Sequence, residues 1–344
     1  MSEYVEIEEE ESTLAIELKA ISKYMNIPGT NDVHINKPGE VITQGSYGKK
    51  FHVAPEVTYD WCYGISRLIA NHSYQNVDEE KPLLGATLPD GQRIQVVIPP
   101  ATTPGCVAIA IRIPSPVFFT MDELEAQGGF DNVSINEDSL DEDEKKLLEL
   151  KEQQKIKEFI QLAVKAKKTI ICSGATSAGK TTYSKAFIEC IPEDERLICI
   201  EDAPELEFRK HKDVVRLFYS RGEQGLAKVT VKELIEVVLR LNPDRVLLSE
   251  LRGEEAFYFL RNVNSGHPGT ITTVHANSPL LAFNQLALYV KESRAGANLS
   301  TEDIKSMLIA SVDVILQFKY IPGVGRKVTG IYYDPVKQRQ LITR

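Results

Sequence analysis

The hydrophobic pattern changes character midway along the chain. Near the start, apolar residues recur at Leu14, Leu18, Ile21 and Met25. That is the spacing of a helix with one buried face, and Pro28-Gly29 predicts its end. In DVHINKPGEVIT, Val33 and Ile35 face one way, Lys37-Pro38-Gly39 turns the chain and Val41 resumes, which predicts a β-hairpin. Residues 58–75 return to helical spacing, with Trp61, Ile65, Leu68 and Ile69 on one stripe. RIQVVIPP and CVAIAIRIP are strand-like runs bounded by Gly91 and Pro114. Residues 1–135 are therefore expected to form a mixed α+β domain.

The pattern then breaks down. From Glu137 to Glu158 there are 9 acids and 5 bases, few apolar residues and neither Gly nor Pro. Residues 136–155 read as a solvated acidic linker feeding a helix whose stripe is Ile156, Phe159, Ile160 and Ala163. Beyond it, strand and helix patterns alternate. TIICS (169–173), RLICI (196–200), RVLLS (245–249) and TITTV (270–274) are short runs unbroken by polar alternation, as expected of parallel strands covered on both faces. Between the second and third, Thr230-x-x-Glu233 is a capping box for a helix with Val231, Leu234, Ile235, Val238 and Leu241 on its apolar face. Residues 156–344 are expected to be a three-layer α/β domain.

Composition narrows the class. Hydrophobic residues make up 42% of the 344 and charged residues 26%, as in a globular protein rather than a disordered, collagen-like or disulfide-scaffold chain. Lys plus Arg number 40 against 49 Asp plus Glu, a net charge of −9, which weighs against direct nucleic-acid binding. The tail is the exception, with Lys319, Arg326, Lys327, Lys337, Arg339 and Arg344 set against Asp334. It reads as a solvated hairpin or a partner or headgroup contact. Cys62, Cys106, Cys172, Cys190 and Cys199 are odd in number and form no C-x-x-C, so reduced thiols in a cytoplasmic protein are expected. MSEYVEIEEEE has neither the basic nor the apolar region of a secretory signal. The apolar run Cys106–Ile111 stops at Arg112, far short of the roughly 20 residues of a membrane span.

The candidate chemistry sits in the second half. GATSAGKT, comprising Gly174, Ala175, Thr176, Ser177, Ala178, Gly179, Lys180 and Thr181, matches G-x-x-x-x-G-K-[ST] in full. It follows a strand pattern and opens TTYSKAFIECI, a helix pattern that begins at Thr181-Thr182 and ends before Pro192. In that context the glycines let backbone N–H groups converge on phosphate oxygens, and the helix start adds partial positive charge. Lys180 would reach the β- and γ-phosphates of ATP and Thr181 would ligate Mg²⁺.

RLICI runs directly into Glu201-Asp202-Ala203-Pro204-Glu205, and RVLLS into Glu250. Ligands of open α/β sheets gather at the carboxyl ends of strands. Glu250 is expected to act as general base on the attacking water. Glu201 or Glu250 would handle the metal, and the sequence leaves both open. In SGHPGTITTVHA, His275 ends a strand and could sense the γ-phosphate or hold the water-orienting carboxylate. His267, between two glycines, divides evenly between that role and packing. Arg112, Arg216, Arg221, Arg240 and Arg252 are each candidates for transition-state charge, although arginines so placed more often form surface ion pairs.

In these boxes the chain resembles the secretion-ATPase superfamily, and specifically the traffic ATPases of type IV secretion and plasmid conjugation machines. The resemblance rests on GATSAGKT, IEDAPELEF, RVLLSELRGEEAF and SGHPGTITTVHANSP, with NDVHINKPGEV, RIQVVIPP and IRIPS for the N-terminal domain. It implies a RecA-like C-terminal domain, a smaller PAS-like N-terminal domain and a homohexameric ring with nucleotide held between domains. It also implies that Arg112, helped by Arg93, reaches the phosphates. Turnover would move the N-terminal domain against the ring, at the cytoplasmic face of the bacterial inner membrane. The implied partners are the larger secretion ATPase and the coupling protein. Type II secretion and pilus ATPases share these boxes, although the C-x-x-C of many type II members is absent here. A nucleotide-gated assembly scaffold, in which hydrolysis is incidental, is the alternative from another class.

Overall fold

The computed structural model describes residues 12–115, 117–131, 133, 139–220 and 225–342. The chain divides into two compact units, the first taking residues up to 116 together with 225–229, the second the remainder.

The first unit contains α1 (Thr13–Met25), β1 (Thr30–Ile35), β2 (Gly39–Gly45), β3 (Gly48–Ala54), α2 (Tyr59–His72), β4 (Leu83–Thr87), β5 (Arg93–Val97) and β6 (Ala108–Arg112). The strands form one antiparallel sheet in the order β3-β2-β1-β6-β5-β4. The hydroxyls of Ser12 and Thr58 cap the two helices, accepting from Ala15 N and Trp61 N at 3.2 and 3.1 Å. Leu14, Leu18 and Ile21 of α1 and Cys62, Ile65 and Ile69 of α2 share a core with Val33, Ile35, Val96, Ile109 and Ile111 of the sheet. Each such side chain contributes roughly 1.5–3 kcal/mol by leaving water. Of the stripe read over 58–75, Ile65 and Ile69 are fully enclosed, while Trp61 and Leu68 are half-buried at its rim.

The second unit begins with α3 (Met121–Ala126), α4 (Glu142–Glu152) and α5 (Ile156–Lys165), followed by β7 (Ile170–Gly174), α6 (Lys180–Ile188), β8 (Leu197–Glu201) and β9 (Val214–Phe218). Then come α7 (Val231–Val238), β10 (Arg245–Leu248), α8 (Glu255–Val263), β11 (Ile271–Val274), α9 (Pro279–Glu292), α10 (Thr301–Ser311), β12 (Val314–Ile321), β13 (Gly325–Tyr333) and α11 (Pro335–Ile342). Strands β10-β8-β9 and β11-β7-β12-β13 form two sheets, joined by a parallel bridge between Leu251 and Val274. All pairings are parallel except the β12–β13 hairpin. Every strand from β7 to β12 therefore ends at the same edge.

The four apolar runs read as buried parallel strands are β7, β8, β10 and β11, within a residue at each end. Alternate residues explain why none shows polar alternation. Ile170, Cys172, Leu197, Cys199 and Leu247 share a core with Phe159, Ala163 and Phe187 of α5 and α6. Ile171, Ile198, Ile200, Val246 and Leu248 point the other way by the pleat and are just as buried. Burial pushes the Cys62 and Cys172 thiols up to about 12, so both remain protonated. No helix among the described residues is long and apolar enough to cross a membrane.

Residues 142–152, read from composition as part of a linker, are helix α4. Asp141 and Glu144 close a capping box, with Glu144 N donating to Asp141 Oδ1 at 2.7 Å and Asp141 N to Glu144 Oε2 at 3.1 Å. Leu147 and Leu150 are buried. Two leucines and a cap outweigh an acidic composition, which is why counting charges hid the helix. Glu144 also binds Lys168 at 3.1 Å and Arg339 of α11 at 2.6 Å. Burial alone would raise its carboxyl, but these cations and the Asp141 N–H hold it below the ordinary glutamate range. A carboxyl lowered on folding stabilises above its unfolded value and loses that contribution as pH falls through the folded value. Glu144→Gln should therefore cost about 2 kcal/mol in urea denaturation at neutral pH, with the two proteins converging on acidification. An unchanged gap at low pH would contradict this reading.

Candidate active site at the phosphate loop

The site forms at the common carboxyl edge of the parallel strands. β7 ends at Gly174, where β12 runs alongside; a Cβ there would lie 2.7 Å from the Phe318 carbonyl, so only glycine fits. The loop then bends through Ser177 at φ 62° and Gly179 at φ 99° into α6. Left-handed backbone in this loop lets successive N–H groups face one concavity, which favours an anion.

Lys180 opens α6 and is largely buried. Its Nζ donates to Gly174 O at 2.9 Å, Ala175 O at 3.1 Å and His275 Nδ1 at 3.2 Å. Burial lowers its pKa from the usual lysine value, against the opposing charge of Glu250. An ammonium can only donate, so His275 Nδ1 accepts, and the ring's proton is assigned to Nε2. That nitrogen lies 2.7 Å from Glu250 Oε1. Glu250 Oε2 takes Arg252 Nη2 in a short contact, and Arg252 Nη1 lies 3.7 Å from Asp202. Lys180, His275, Glu250, Arg252 and Asp202 thus form one continuous polar chain across three strand ends.

A cavity of about 290 Å³ opens over this chain, lined by residues 176–182 with Glu205, Glu250, Arg252, Thr273, His275 and Arg326. The loop residues, Lys180, Glu250 and His275 expected from sequence are therefore together. Glu201 is elsewhere. Its carboxylate is fully buried, accepts from Arg216 Nε at 2.9 Å, and takes Glu205 N and Leu206 N at 2.8 Å each. With its oxygens so engaged, it organises the 202–206 loop instead of facing the cavity. The carboxylate beside the loop threonine is Glu205, whose Oε2 accepts from Thr181 Oγ1 at 3.4 Å. Arg216 is thereby committed to Glu201 and stacks on Phe218.

His267 is not among the residues that line this cavity. It precedes β11, at the amino end of the strand whose carboxyl end carries His275. Its pKa is lowered by burial. Arg112 ends β6 in the first unit, where its guanidinium binds both oxygens of Asp32 at 3.1 and 3.0 Å and stands opposite Arg93 across the strands. Arg240 does not line the cavity, and Arg221 falls outside the described residues. Glu205 belongs to the acidic run after β8 without being singled out there, and Arg326 is one cation among several in the basic tail. Glu205 was visible in IEDAPELEF but hidden behind the strand-end glutamate four residues earlier.

The residues present fit a magnesium-bound nucleoside triphosphate. Lys180 offers cationic N–H groups that, among the described residues, only neutral acceptors engage, and Thr181 with Glu205 presents hydroxyl and carboxylate oxygens, the donors a hard cation prefers.

A parallel sheet carrying a phosphate-binding loop, with glutamate and histidine at neighbouring strand ends, defines the class of phosphate-loop α/β proteins. Residues 9–324 match the family described as type II/IV secretion system protein, and the chain belongs to that family. It is 43% identical over 337 residues to the type IV secretion system protein VirB11 of Bartonella quintana, covering 94% of each chain. It is 36% identical over 312 residues to the protein VirB11 of Agrobacterium fabrum, covering 89% of each. Among solved structures it is similar to the VirB11 ATPase of the Brucella suis type IV secretion system in complex with sulphate. There the TM-score is 0.90 at 36% identity, over 96% of this chain and 100% of that one.

Proposed function

We propose that the chain is the hexameric traffic ATPase of a bacterial type IV secretion machine, acting at the cytoplasmic face of the inner membrane. The chain hydrolyses ATP. The second unit is its RecA-like catalytic domain and the first a PAS-like accessory domain. The observation that carries this reading is that Lys180, Thr181, Glu250 and His275 line one cavity beside the phosphate loop.

Lys180 and the loop N–H groups hold the β- and γ-phosphates and take up charge that spreads onto the γ-oxygens. Thr181 and Glu205 would hold Mg²⁺, which when bound neutralises phosphate charge. Glu250 orients the attacking water and accepts its proton. His275, pinned between Lys180 and Glu250, fixes the carboxylate's orientation. Arg252 holds the other carboxylate oxygen. Kinship with VirB11 proteins supports the type IV machine over a type II or pilus motor.

Native mass spectrometry with a turnover assay tests the assembly. A six-chain species, favoured by MgATP and active in hydrolysis, is the expected result. A monomer that turns over ATP equally well at every protein concentration would refute the ring.

A further inference from the structure

The β12–β13 hairpin overshoots the end of β7 and returns across the phosphate loop. Phe318 pairs with Gly174 in register, and the chain reverses beyond Ile321 to bring Arg326 back. Tyr183 of α6 donates its hydroxyl to the Arg326 carbonyl at 3.1 Å, and its ring stacks 4.7 Å from that of Phe318. The Arg326 stem fills the space over Gly179, where a Cβ would lie 2.5 Å from Cδ. The hairpin is thus fastened to the loop and to the helix that begins at Lys180.

The guanidinium lines the same cavity as Lys180. Its Nε donates to Ser177 O at 3.1 Å. Among the described residues, its other N–H groups meet no hydrogen-bond acceptor and no carboxylate. In this it differs from the other arginine that lines the cavity, Arg252, which pairs with Glu250. A planar cation held at the edge of a phosphate cavity, with a carbonyl as its sole partner among the described residues, is suited to an anion that arrives with the ligand.

We propose that Arg326 is a nucleotide-binding residue: from the C-terminal hairpin of the same chain, it donates to a phosphate oxygen of the nucleoside di- or triphosphate held by the loop. This rests on the ATPase reading above and extends it to an element outside the sequence boxes. Bound nucleotide thereby adds a further tie between β13 and the loop to those already present.

The test compares wild type, Arg326→Gln and Arg326→Lys in the full chain. Gln keeps a stem over Gly179 and an N–H donor but removes the charge. MgATP and MgADP affinities are measured at two salt concentrations, with melting without nucleotide and hydrogen exchange of residues 314–333. Arg326→Gln should weaken both nucleotides about tenfold and flatten the salt dependence, with unchanged melting. Arg326→Lys should recover most of the loss. MgATP should slow exchange in the hairpin of wild type and not of Arg326→Gln. Wild-type affinity in Arg326→Gln would overturn the proposal, as would weaker binding accompanied by lower melting and an unaltered salt slope, which is the signature of a prop for the loop. Were wild type itself to show no MgATP affinity, the ATPase reading would fall first and Arg326 with it.

Discussion

Lys180→Ala should abolish measurable ATP turnover and lower MgATP affinity so far that saturation is lost. Removing a single preorganised donor from developing charge costs about 10²–10³-fold in rate, and here the donor also carries the charge that binds the ground state. The three acceptors around Nζ are two carbonyls and an imidazole, none of which neutralises it. The fold should survive, because Lys180 pairs with no carboxylate whose burial depends on it. Melting close to wild type, with calorimetry and phosphate release both lost, is the expected result. The pH dependence follows with a definite sign. Burial holds the Lys180 ammonium below the usual lysine range, so rising pH neutralises it sooner than an exposed lysine. MgATP affinity should therefore fall on the alkaline side before exposed lysines titrate. Binding phosphate favours the charged form, so proton uptake should accompany binding in that window. Binding insensitive to pH there would argue that Lys180 does not meet the phosphates.

Glu250→Gln should separate binding from chemistry. The amide keeps the size of the side chain and leaves the loop and Lys180 in place. It cannot take a proton from water. General-base catalysis contributes about 10²–10⁴-fold, so turnover should drop by that factor while MgATP affinity stays near wild type. His275 Nε2 and Arg252 Nη2 both address this carboxylate, so the substitution also leaves Arg252 facing an amide. Some of the lost rate will be misorientation of the water. Single-turnover quench measurements place the loss in the chemical step, since a missing base and a misplaced water both slow chemistry without changing how fast ATP loads. Full turnover in Glu250→Gln would remove Glu250 from its assigned role.

The legible part of this protein is the part whose physics is local in sequence. A buried parallel strand must be apolar throughout, so TIICS, RLICI, RVLLS and TITTV announced β7, β8, β10 and β11. The capping box at Thr230 and Glu233 is present as read, with Glu233 N donating to Thr230 Oγ1 at 3.2 Å. The phosphate loop, Glu250 and His275 were legible because each ends or follows one of those strands. What was hidden depends on neighbours distant in the chain. Glu201 ends its strand as a ligand would, yet Arg216, fifteen residues on, claims its carboxylate. Glu205 reaches Thr181 only because Glu201 gathers the intervening loop. Arg326 comes to the loop from 149 residues away through a hairpin, and nothing in a tail of scattered cations marks which one arrives. His267 and His275 look alike in sequence; β11 separates them, one at each end.

On the proposed function, residues 174–181 hold a triphosphate whose γ-phosphoryl bond this chain breaks. The most direct measurement is steady-state release of inorganic phosphate from MgATP by the purified full chain, with Lys180→Ala alongside as background. Saturable release by wild type, absent from the variant, is predicted. Folded wild-type protein that releases no more phosphate than Lys180→Ala across the whole range of MgATP concentration would contradict it.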